Sequence, residues 1–123
     1  MCGIVGYKGP RNAINLVLHG LERLEYRGYD SAGISYKNNG GIITSKQPGC
    51  IRDLEEKISL KEESNICIGH TRWATHGKPC KRNAHPHVDV FNTLGIVHNG
   101  ILENHKEIKK SFHDKYTIHS DTD

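Results

Sequence analysis

The sequence predicts one mixed domain of the α+β class, and three observations support this prediction. The chain has 123 residues, a length that fits a single domain of modest size. Short apolar segments with the residue preferences of β-strands alternate along the chain with segments whose apolar residues have helical spacing. No repeat or low-complexity tract interrupts them. No apolar stretch approaches the ~20 residues of a membrane helix, so we expect no membrane contact.

The composition excludes further classes of protein. Charged residues make up 25% of the chain and the formal net charge of +3 is scattered, so nucleic-acid binding is not predicted. The opening residues lack the basic and apolar regions of a secretion signal, so we expect a cytoplasmic protein. The four cysteines form no CxxC pair, which favours free thiols over a disulfide framework.

The first half of the chain predicts a strand, a helix and a hairpin. Residues 4–7 have the composition of a short strand. Residues 12–25 carry apolar side chains at i, i+3, i+4 and i+7, which predicts an amphipathic helix that ends before Gly28. Residues 33–37 and 42–45 predict two strands joined by an Asn-Asn-Gly-Gly turn, because Asn and Gly tolerate the positive φ of hairpin turns.

The second half predicts two further helices and three further strands. The helices are expected at residues 51–58 and 103–112. The strands are expected at residues 65–70, 94–98 and 116–119.

The second residue, Cys2, is the most informative candidate for a catalytic group. Removal of Met1, which a small second residue permits, would leave Cys2 with a free α-amine beside its thiol. The reference pKa values of such an amine (about 7.7–8.0) and of a thiol (about 8.5) let the amine accept the thiol proton near neutral pH. Base and nucleophile would then lie on one residue. The alternative is that Cys2 is a small buried hydrophobic residue at the start of a strand.

Motifs along the whole chain resemble those of the class II glutamine amidotransferases, whose N-terminal cysteine attacks the side-chain amide of glutamine. Residues 24–33, Leu-Glu-Tyr-Arg-Gly-Tyr-Asp-Ser-Ala-Gly, are similar to the glutamine–fructose-6-phosphate aminotransferase family rather than to the purine or asparagine enzymes. The other matching motifs are Met-Cys-Gly-Ile-Val-Gly at 1–6, Gly-His-Thr-Arg-Trp-Ala-Thr-His-Gly at 69–77, Asn-Ala-His-Pro-His at 83–87, Val-His-Asn-Gly-Ile-Leu-Glu-Asn at 97–104 and Ser-Asp-Thr-Asp at 120–123.

The resemblance implies a fold and a catalytic set. The fold is the four-layer αββα sandwich of the N-terminal nucleophile hydrolases. Cys2 is the nucleophile, and Asn99 and Gly100 form the oxyanion hole, to which Asn99 offers its side-chain amide and Gly100 its backbone N–H. The dipeptide by itself favours an ordinary Asn-Gly hairpin turn, and only the resemblance reverses that preference. Arg27 is expected to help place the N-terminal cysteine.

The resemblance also implies a binding site for free glutamine. Arg72 has the planar guanidinium that pairs with a carboxylate through two hydrogen bonds, and Asp123 supplies the opposite charge for the α-ammonium group. Trp73, Thr75 and His76 are expected to line the pocket. Without the resemblance, Arg72 would more often be a surface charge and Trp73 a core or lid residue.

The nine histidines raise the question of a metal site. His70, His76, His85, His87 and His98 lie in the matching motifs, with Cys80 nearby. The His-Pro-His spacing is a poor start for a chelate and no cysteine pair accompanies it, so we predict no metal and no cofactor. We interpret Cys50, Cys67 and Cys80 as structural or incidental.

The chain is shorter than the family's glutaminase domain, so we expect residues 1–123 to be a part of that domain, incomplete at its C-terminal side. The sugar-phosphate isomerase domain is expected to be absent, and fructose 6-phosphate would be used only through it. The full-length enzyme is expected to be a homodimer. We expect the isolated chain to fold weakly and to have little activity, because missing strands leave unpaired edges.

Two hypotheses of different classes follow. The first is that the chain is the glutamine-hydrolysing part of such an aminotransferase, which makes glucosamine 6-phosphate and glutamate from fructose 6-phosphate and glutamine. The second is a truncated fragment without catalysis, acting at most in binding or assembly. A small metal-binding module is a distant third.

Overall fold

Strand β1 (Gly3–Lys8) and helix α1 (Ala13–Leu24) open the chain in the computed structural model, which describes residues 1–59, 61–74, 77–112 and 115–123. The remaining elements follow as β2 (Ser31–Asn38), β3 (Gly41–Pro48), α2 (Ile51–Glu55), β4 (Ile66–Arg72), β5 (His87–Val88), β6 (Gly95–Ile96) and α3 (His105–Phe112). Short 3₁₀ turns lie at Glu25–Arg27 and Lys81–Asn83. Within the described ranges no helix has the length and apolar character needed to span a membrane.

Helix α1 confirms the amphipathic segment predicted at residues 12–25. Its N-cap is Asn12, whose side-chain oxygen accepts a hydrogen bond from the Ile14 N–H at 3.1 Å. One face of the helix is buried against the sheet and forms the core together with α2. The buried members from the two helices are Ala13, Ile14, Val17, Leu18, Leu21, Ile51 and Leu54.

The central sheet has four strands in the order β1–β4–β2–β3, and every neighbouring pair is antiparallel. Ala32, Ile34 and Tyr36 on β2 face the helices and join the core. Because successive side chains of a strand point to opposite faces, the register Gly33↔His70 puts His70 on the other face of the sheet. Arg72, two residues further along β4, lies on that same face.

A second, smaller layer covers this other face. Strands β5 and β6 pair antiparallel, and the Ile42 N–H of β3 donates to the Asn92 carbonyl at 3.0 Å in the loop between them. Gly33 permits the approach, since a Cβ built there would lie 2.2 Å from the carbonyl oxygen of His85. The resulting order of helices, sheet and second sheet agrees with the predicted α+β class and with three layers of an αββα sandwich.

Several predicted elements have different bounds in the structure. The strand predicted at residues 65–70 extends to Arg72 because β1 and β2 pair with it on both sides. The helix predicted at 51–58 ends at Glu55, and the helix predicted at 103–112 begins at His105.

Two strand predictions in the last third are wrong, in whole or in part. The strand predicted at residues 94–98 is reduced to Gly95–Ile96, because β5 offers only two residues for pairing. Residues 116–119 form no strand, since no other strand among the described residues lies beside them. An apolar, β-branched segment becomes a strand only where a neighbouring backbone completes its hydrogen bonds.

The structure also overturns the alternative reading of Asn99-Gly100 as a hairpin turn. The β5–β6 connection is the loop at residues 89–94 and is built on Asp89, whose Oδ1 accepts from the N–H groups of Thr93 and Leu94 at 2.7 Å each. Residues 99–100 lie after β6, and they join no pair of the strands that the structure describes.

Candidate active site

Cys2 lies beside the end of β4, where β1 begins. The pairing Gly3↔Thr71 brings the residue before Gly3 next to the chain that leaves β4. The Trp73 backbone N–H donates to the Cys2 Sγ at 3.2 Å. The sulfur also lies 3.7 Å from the Trp73 carbonyl oxygen, so both backbone groups of Trp73 fix the position of the Cys2 side chain.

The segment after α1 holds the end of β4 in place. Gly28 follows the 3₁₀ turn at Glu25–Arg27, and a Cβ on Gly28 would lie 2.9 Å from both the Arg72 carbonyl carbon and the Trp73 nitrogen. The Asp30 carboxylate accepts a hydrogen bond from the Ala74 N–H, and the Asp30 N–H donates to the Arg72 carbonyl at 3.2 Å. These contacts give the motif at residues 24–33 a physical role, which is to fix the backbone around Trp73.

The N-terminal methionine is accessible. Met1 is 77% exposed, so an aminopeptidase can reach it. The Arg27 guanidinium donates to the Met1 Sδ at 3.6 Å, which places Arg27 at the N-terminus. The expected role of Arg27 in placing Cys2 stays a prediction.

Asn99 contacts the main chain of Cys2. Its side-chain Nδ2 donates to the Cys2 carbonyl oxygen at 3.2 Å. An amide NH₂ has two hydrogens, so the second can be directed at a developing oxyanion. Gly100 has φ +142°, a conformation that favours glycine, and a Cβ there would lie 3.1 Å from the Cε1 of His98.

A cavity of about 530 Å³ opens beside Cys2, on the face of the sheet that carries His70 and Arg72. It brings together most of the predicted site residues, including Trp73, Gly100 and Asp123. Its full lining is Cys2, His70, Arg72, Trp73, His85, His87, Ile96, Val97, His98, Gly100, Leu102, Ser120, Thr122 and Asp123.

The two predicted charge partners of glutamine lie on this cavity. The Arg72 side chain is only 4% exposed and its Nη2 donates to the Gly77 carbonyl at 3.1 Å. The carboxylate of Asp123 accepts from the Leu102 N–H at 2.6 Å. A cationic and an anionic group on one cavity match an amino acid that carries both charges.

The remaining predicted pocket residues divide into two groups. Trp73 lines the cavity, is 51% exposed, and meets the Tyr29 ring edge-on with 6.2 Å between the ring centroids. Thr75 and His76 lie outside the described residues.

The segment that carries Asp123 is tied to the 3₁₀ turn at Lys81–Asn83. Asn83 is fully buried; its Oδ1 accepts from the Asp121 N–H at 2.8 Å and its Nδ2 donates to the Lys78 carbonyl at 3.1 Å. Arg82 forms an ion pair with the Asp121 carboxylate. Asn83 belonged to a matching motif, yet the sequence analysis gave it no role, because its contacts cross 38 positions of the chain.

Three histidine rings, His70, His85 and His87, contact one another along the cavity, the first pair tilted and the second edge-on. The ring of His85 lies 4.4 Å from that of His70 and 4.5 Å from that of His87, between centroids. Burial lowers the pKa of His85 to about 3 and the pKa of His87 to about 4, and the charges of neighbouring basic groups act in the same direction. Burial also lowers the pKa of His70. The cluster is therefore uncharged at neutral pH.

The metal alternative gains no geometric support. Across residues 1–59, 61–74, 77–112 and 115–123, no group of three or more His, Cys, Asp or Glu side chains is arranged to hold a metal ion. The prediction that no metal or cofactor is bound stays a prediction.

The other three cysteines lie away from the cavity. Burial raises the pKa of the Cys67 thiol to about 12, which keeps it protonated and unreactive. Cys50 is the N-cap residue of α2, where its N–H donates to the Asp53 carboxylate at 2.8 Å. Cys80 is partly exposed in the loop before the Lys81–Asn83 turn.

Comparison with curated proteins identifies close sequence relatives. The chain is 51% identical over 125 residues to the glutamine–fructose-6-phosphate aminotransferase of Pyrococcus horikoshii. It is 50% identical to the same enzymes of Bacillus subtilis and Chlamydia muridarum, over 123 and 124 residues. Each match covers the whole of this chain but only 20–21% of the relative, so the chain spans about a fifth of the length of these relatives. No protein-family model matches the chain.

Solved structures confirm the fold. Glutamine phosphoribosylpyrophosphate amidotransferase from Bacillus subtilis, complexed with ADP and GMP, superposes with a TM-score of 0.79 at 26% identity over 99% of this chain and 27% of that chain. A structure described as the allosteric regulatory enzyme of purine biosynthesis superposes with a TM-score of 0.81 at 27% identity, over 98% and 26%. The chain therefore has the N-terminal nucleophile hydrolase fold of the glutamine amidotransferases, and over its whole length its sequence is similar to part of the glutamine–fructose-6-phosphate aminotransferases.

Proposed function

We propose that this chain carries the glutamine-hydrolysing site of a glutamine–fructose-6-phosphate aminotransferase. One observation carries the proposal: Cys2, Gly100, Arg72 and Asp123 all line the same cavity. The residues proposed as the nucleophile, as an oxyanion donor and as the two charge partners of a free amino acid thus share one cavity of about 530 Å³.

The first chemical step is attack on the side-chain amide of glutamine. After removal of Met1, the Cys2 α-amine takes the thiol proton and the sulfur bonds to the amide carbon. The carbonyl oxygen becomes an oxyanion, which the Asn99 side-chain amide and the Gly100 N–H stabilise. Loss of one such donor typically lowers kcat by about 10²–10³-fold.

The second stage releases ammonia and then glutamate. The α-ammonium group of Cys2 returns its proton to the leaving nitrogen as the C–N bond breaks, which leaves a γ-glutamyl thioester on Cys2. The amine then accepts a proton from water, whose oxygen attacks the thioester carbon. As the C–S bond breaks, the sulfur takes this proton from the α-ammonium group, which releases glutamate and restores the thiol and the free amine.

Recognition of the substrate's charged end supports free glutamine over a peptide glutamine. Arg72 would pair with the α-carboxylate through two hydrogen bonds and Asp123 with the α-ammonium group. Trp73 would cover the pocket from the exposed side, and Thr75 and His76 are proposed to line it.

The rest of the aminotransferase reaction belongs to the whole protein. There, ammonia would convert fructose 6-phosphate to glucosamine 6-phosphate at a site beyond residues 1–123, in a homodimer in the cytoplasm. These statements extend the proposal to the four-fifths of the relatives that this chain does not span.

Covalent labelling tests the proposal. A diazoketone analogue of glutamine should alkylate one sulfur per chain, and an excess of glutamine should block the reaction. Cys2→Ala should abolish labelling, whereas the matched control Cys80→Ala, at another partly exposed cysteine, should leave it unchanged. Intact-mass spectrometry of the same sample should show a chain lighter by one methionine residue.

The competing hypothesis is a fragment that binds or assembles without catalysis. A folded sample with Met1 removed that takes no label at Cys2 would favour that hypothesis and contradict the proposed function. Labelling of Cys80 at the same rate as Cys2 would show general thiol reactivity rather than a glutamine site.

A further inference from the structure

We infer that His70 is a positioning residue that holds the Asn99 side-chain amide with its NH₂ group toward Cys2; the inference rests on the proposed function of the Cys2 site. From its sequence context, His70 is a candidate only as a metal ligand. The structure places it instead beneath the residue proposed to stabilise the oxyanion.

The hydrogen bonds of Asn99 fix the assignment of each atom. The Cys2 carbonyl oxygen can only accept, so the Asn99 atom that faces it at 3.2 Å is the nitrogen. The Asn99 Oδ1 therefore faces His70, whose Nε2 lies 2.7 Å away. Because that oxygen also only accepts, the His70 Nε2 carries the hydrogen.

A second hydrogen-bond acceptor supports the Nε2–H tautomer of His70. The same His70 Nε2 lies 3.2 Å from the carbonyl oxygen of His98, the residue immediately before Asn99. One N–H thus holds both the side chain of Asn99 and the backbone that leads into it.

The surroundings of His70 restrict it to this role. The side chain is 1% exposed and its ring stacks on His85, so it cannot turn toward solvent. Burial favours its neutral form, which carries a single ring N–H. The other ring nitrogen, Nδ1, is buried with no hydrogen-bond partner among the described residues, as suits a bare lone pair better than an N–H.

The direction of the Asn99 amide decides its effect on catalysis. With NH₂ toward Cys2, the second N–H can meet the oxyanion. With the amide reversed, an oxygen would face both the Cys2 carbonyl and the oxyanion, and like partial charges repel. A donor on His70 makes the first orientation the favoured one, because only then does the Asn99 oxygen receive a hydrogen bond.

Three substitutions of His70 distinguish the effect of its Nε2–H donor from the effect of the ring itself. His70→Phe keeps a ring without a donor and should lower kcat for glutamine hydrolysis by roughly 10- to 100-fold, with KM changed by less than about threefold. His70→Gln can place an N–H near the position of Nε2 and should recover most of the loss. His70→Asn is the matched control, because its shorter side chain cannot reach that position.

A double-mutant cycle shows whether His70 acts through Asn99. If it does, His70→Phe should cost little further kcat in the Asn99→Ala background, since the group that it positions is already gone. Equal losses of kcat in both backgrounds would overturn the inference. Thermal unfolding of each variant checks that the loss is not one of folding.

Nitrogen NMR of the ring gives a readout independent of turnover. In the wild-type chain, two-bond proton–nitrogen correlations of His70 should show the neutral Nε2–H tautomer, and the Nδ1–H tautomer would overturn the inference. A chain that shows the Nε2–H tautomer but neither hydrolyses glutamine nor takes label at Cys2 would contradict the proposed function while supporting the orientation of Asn99.

Discussion

The sheet with its helices α1 and α2 and the last third of the chain use the same kinds of apolar residue but bury them to different extents. In the first region, Leu21, Ile34 and Leu54 are fully buried. In the second region, most large apolar side chains are exposed within this chain. These are Val90, Phe91, Leu94, Ile96, Ile101, Leu102, Phe112, Tyr116 and Ile118.

The difference teaches that the apolar core stabilises mainly the first region, whereas the proposed site draws residues from both regions. The first region contributes the buried apolar area and fixes the positions of Cys2 and Arg72 where the paired strands β1 and β4 begin and end. The second region contributes Asn99, Gly100 and Asp123, which are held by side-chain hydrogen bonds such as the one from the Leu102 N–H to Asp123. Where the apolar core does not extend, polar contacts therefore fix the positions of these side chains.

The largest expected effect on the free energy of unfolding comes from a comparison of one leucine from each region. Leu21→Ala removes a fully buried side chain and should lower the free energy of unfolding by about 2–5 kcal/mol. Leu94→Ala makes the same chemical change at a side chain that is 62% exposed and should cost no more than about 0.5 kcal/mol. Urea denaturation followed by circular dichroism measures both. Equal losses would show that the last third of the chain buries Leu94 in solution.

A smaller effect is expected at the contact between the two layers. Gly33→Ala places a methyl group 2.2 Å from the His85 carbonyl oxygen and should destabilise the fold by about 1–3 kcal/mol, because one backbone must move. The control is Gly40→Ala in the hairpin turn, where a Cβ meets nothing within 4 Å and the change should stay within about 0.5 kcal/mol. A stable Gly33→Ala variant with an unchanged NMR spectrum near His85 would refute the close packing of the layers.

Sequence patterns predicted the first region well because its signals are local and its partners lie within the chain. The apolar spacing of α1 and the Asn-Gly turn between β2 and β3 each specify structure over a few residues. The strand predicted at residues 116–119 fails for a different reason. Its apolar pattern is equally clear, but a strand depends on a partner that the pattern does not contain.

The residues of the proposed site likewise differ in how far the sequence could predict their roles. Cys2 and Arg72 could be assigned from the motifs because each carries a reactive or charged group whose chemistry is visible in the residue type. The contributions of His70 and Asn83 could not, because their importance lies in partners 29 and 38 positions away. The alternation along β4 was a usable signal, since it places His70 and Arg72 on one face. This alternation does not indicate which residues elsewhere in the chain contact that face of the sheet.

Acidification is expected to lower the free energy of unfolding, and the effect concerns the histidines between the two layers. The pKa of His85 in the folded chain is about 3 and that of His87 about 4, both below the ordinary value of 6.5. Between those values and 6.5 the unfolded chain binds more protons, so stability falls as the pH falls from 6.5. Each such histidine contributes at most about 1.4 kcal/mol per pH unit, and the contribution is fully present above pH 6.5.

Chemical denaturation at a series of pH values from about 6.5 to about 5.5 measures this slope above the range in which most aspartate and glutamate side chains titrate. His85→Gln and His87→Gln should each reduce the slope, because each removes one group that is protonated only on unfolding. His119→Gln serves as the control, since His119 is exposed and lies outside the cluster. An unchanged slope in both cluster variants would mean that water reaches these rings in the folded chain. The contact between the two layers would then be looser than the packing of His85 against Gly33 indicates.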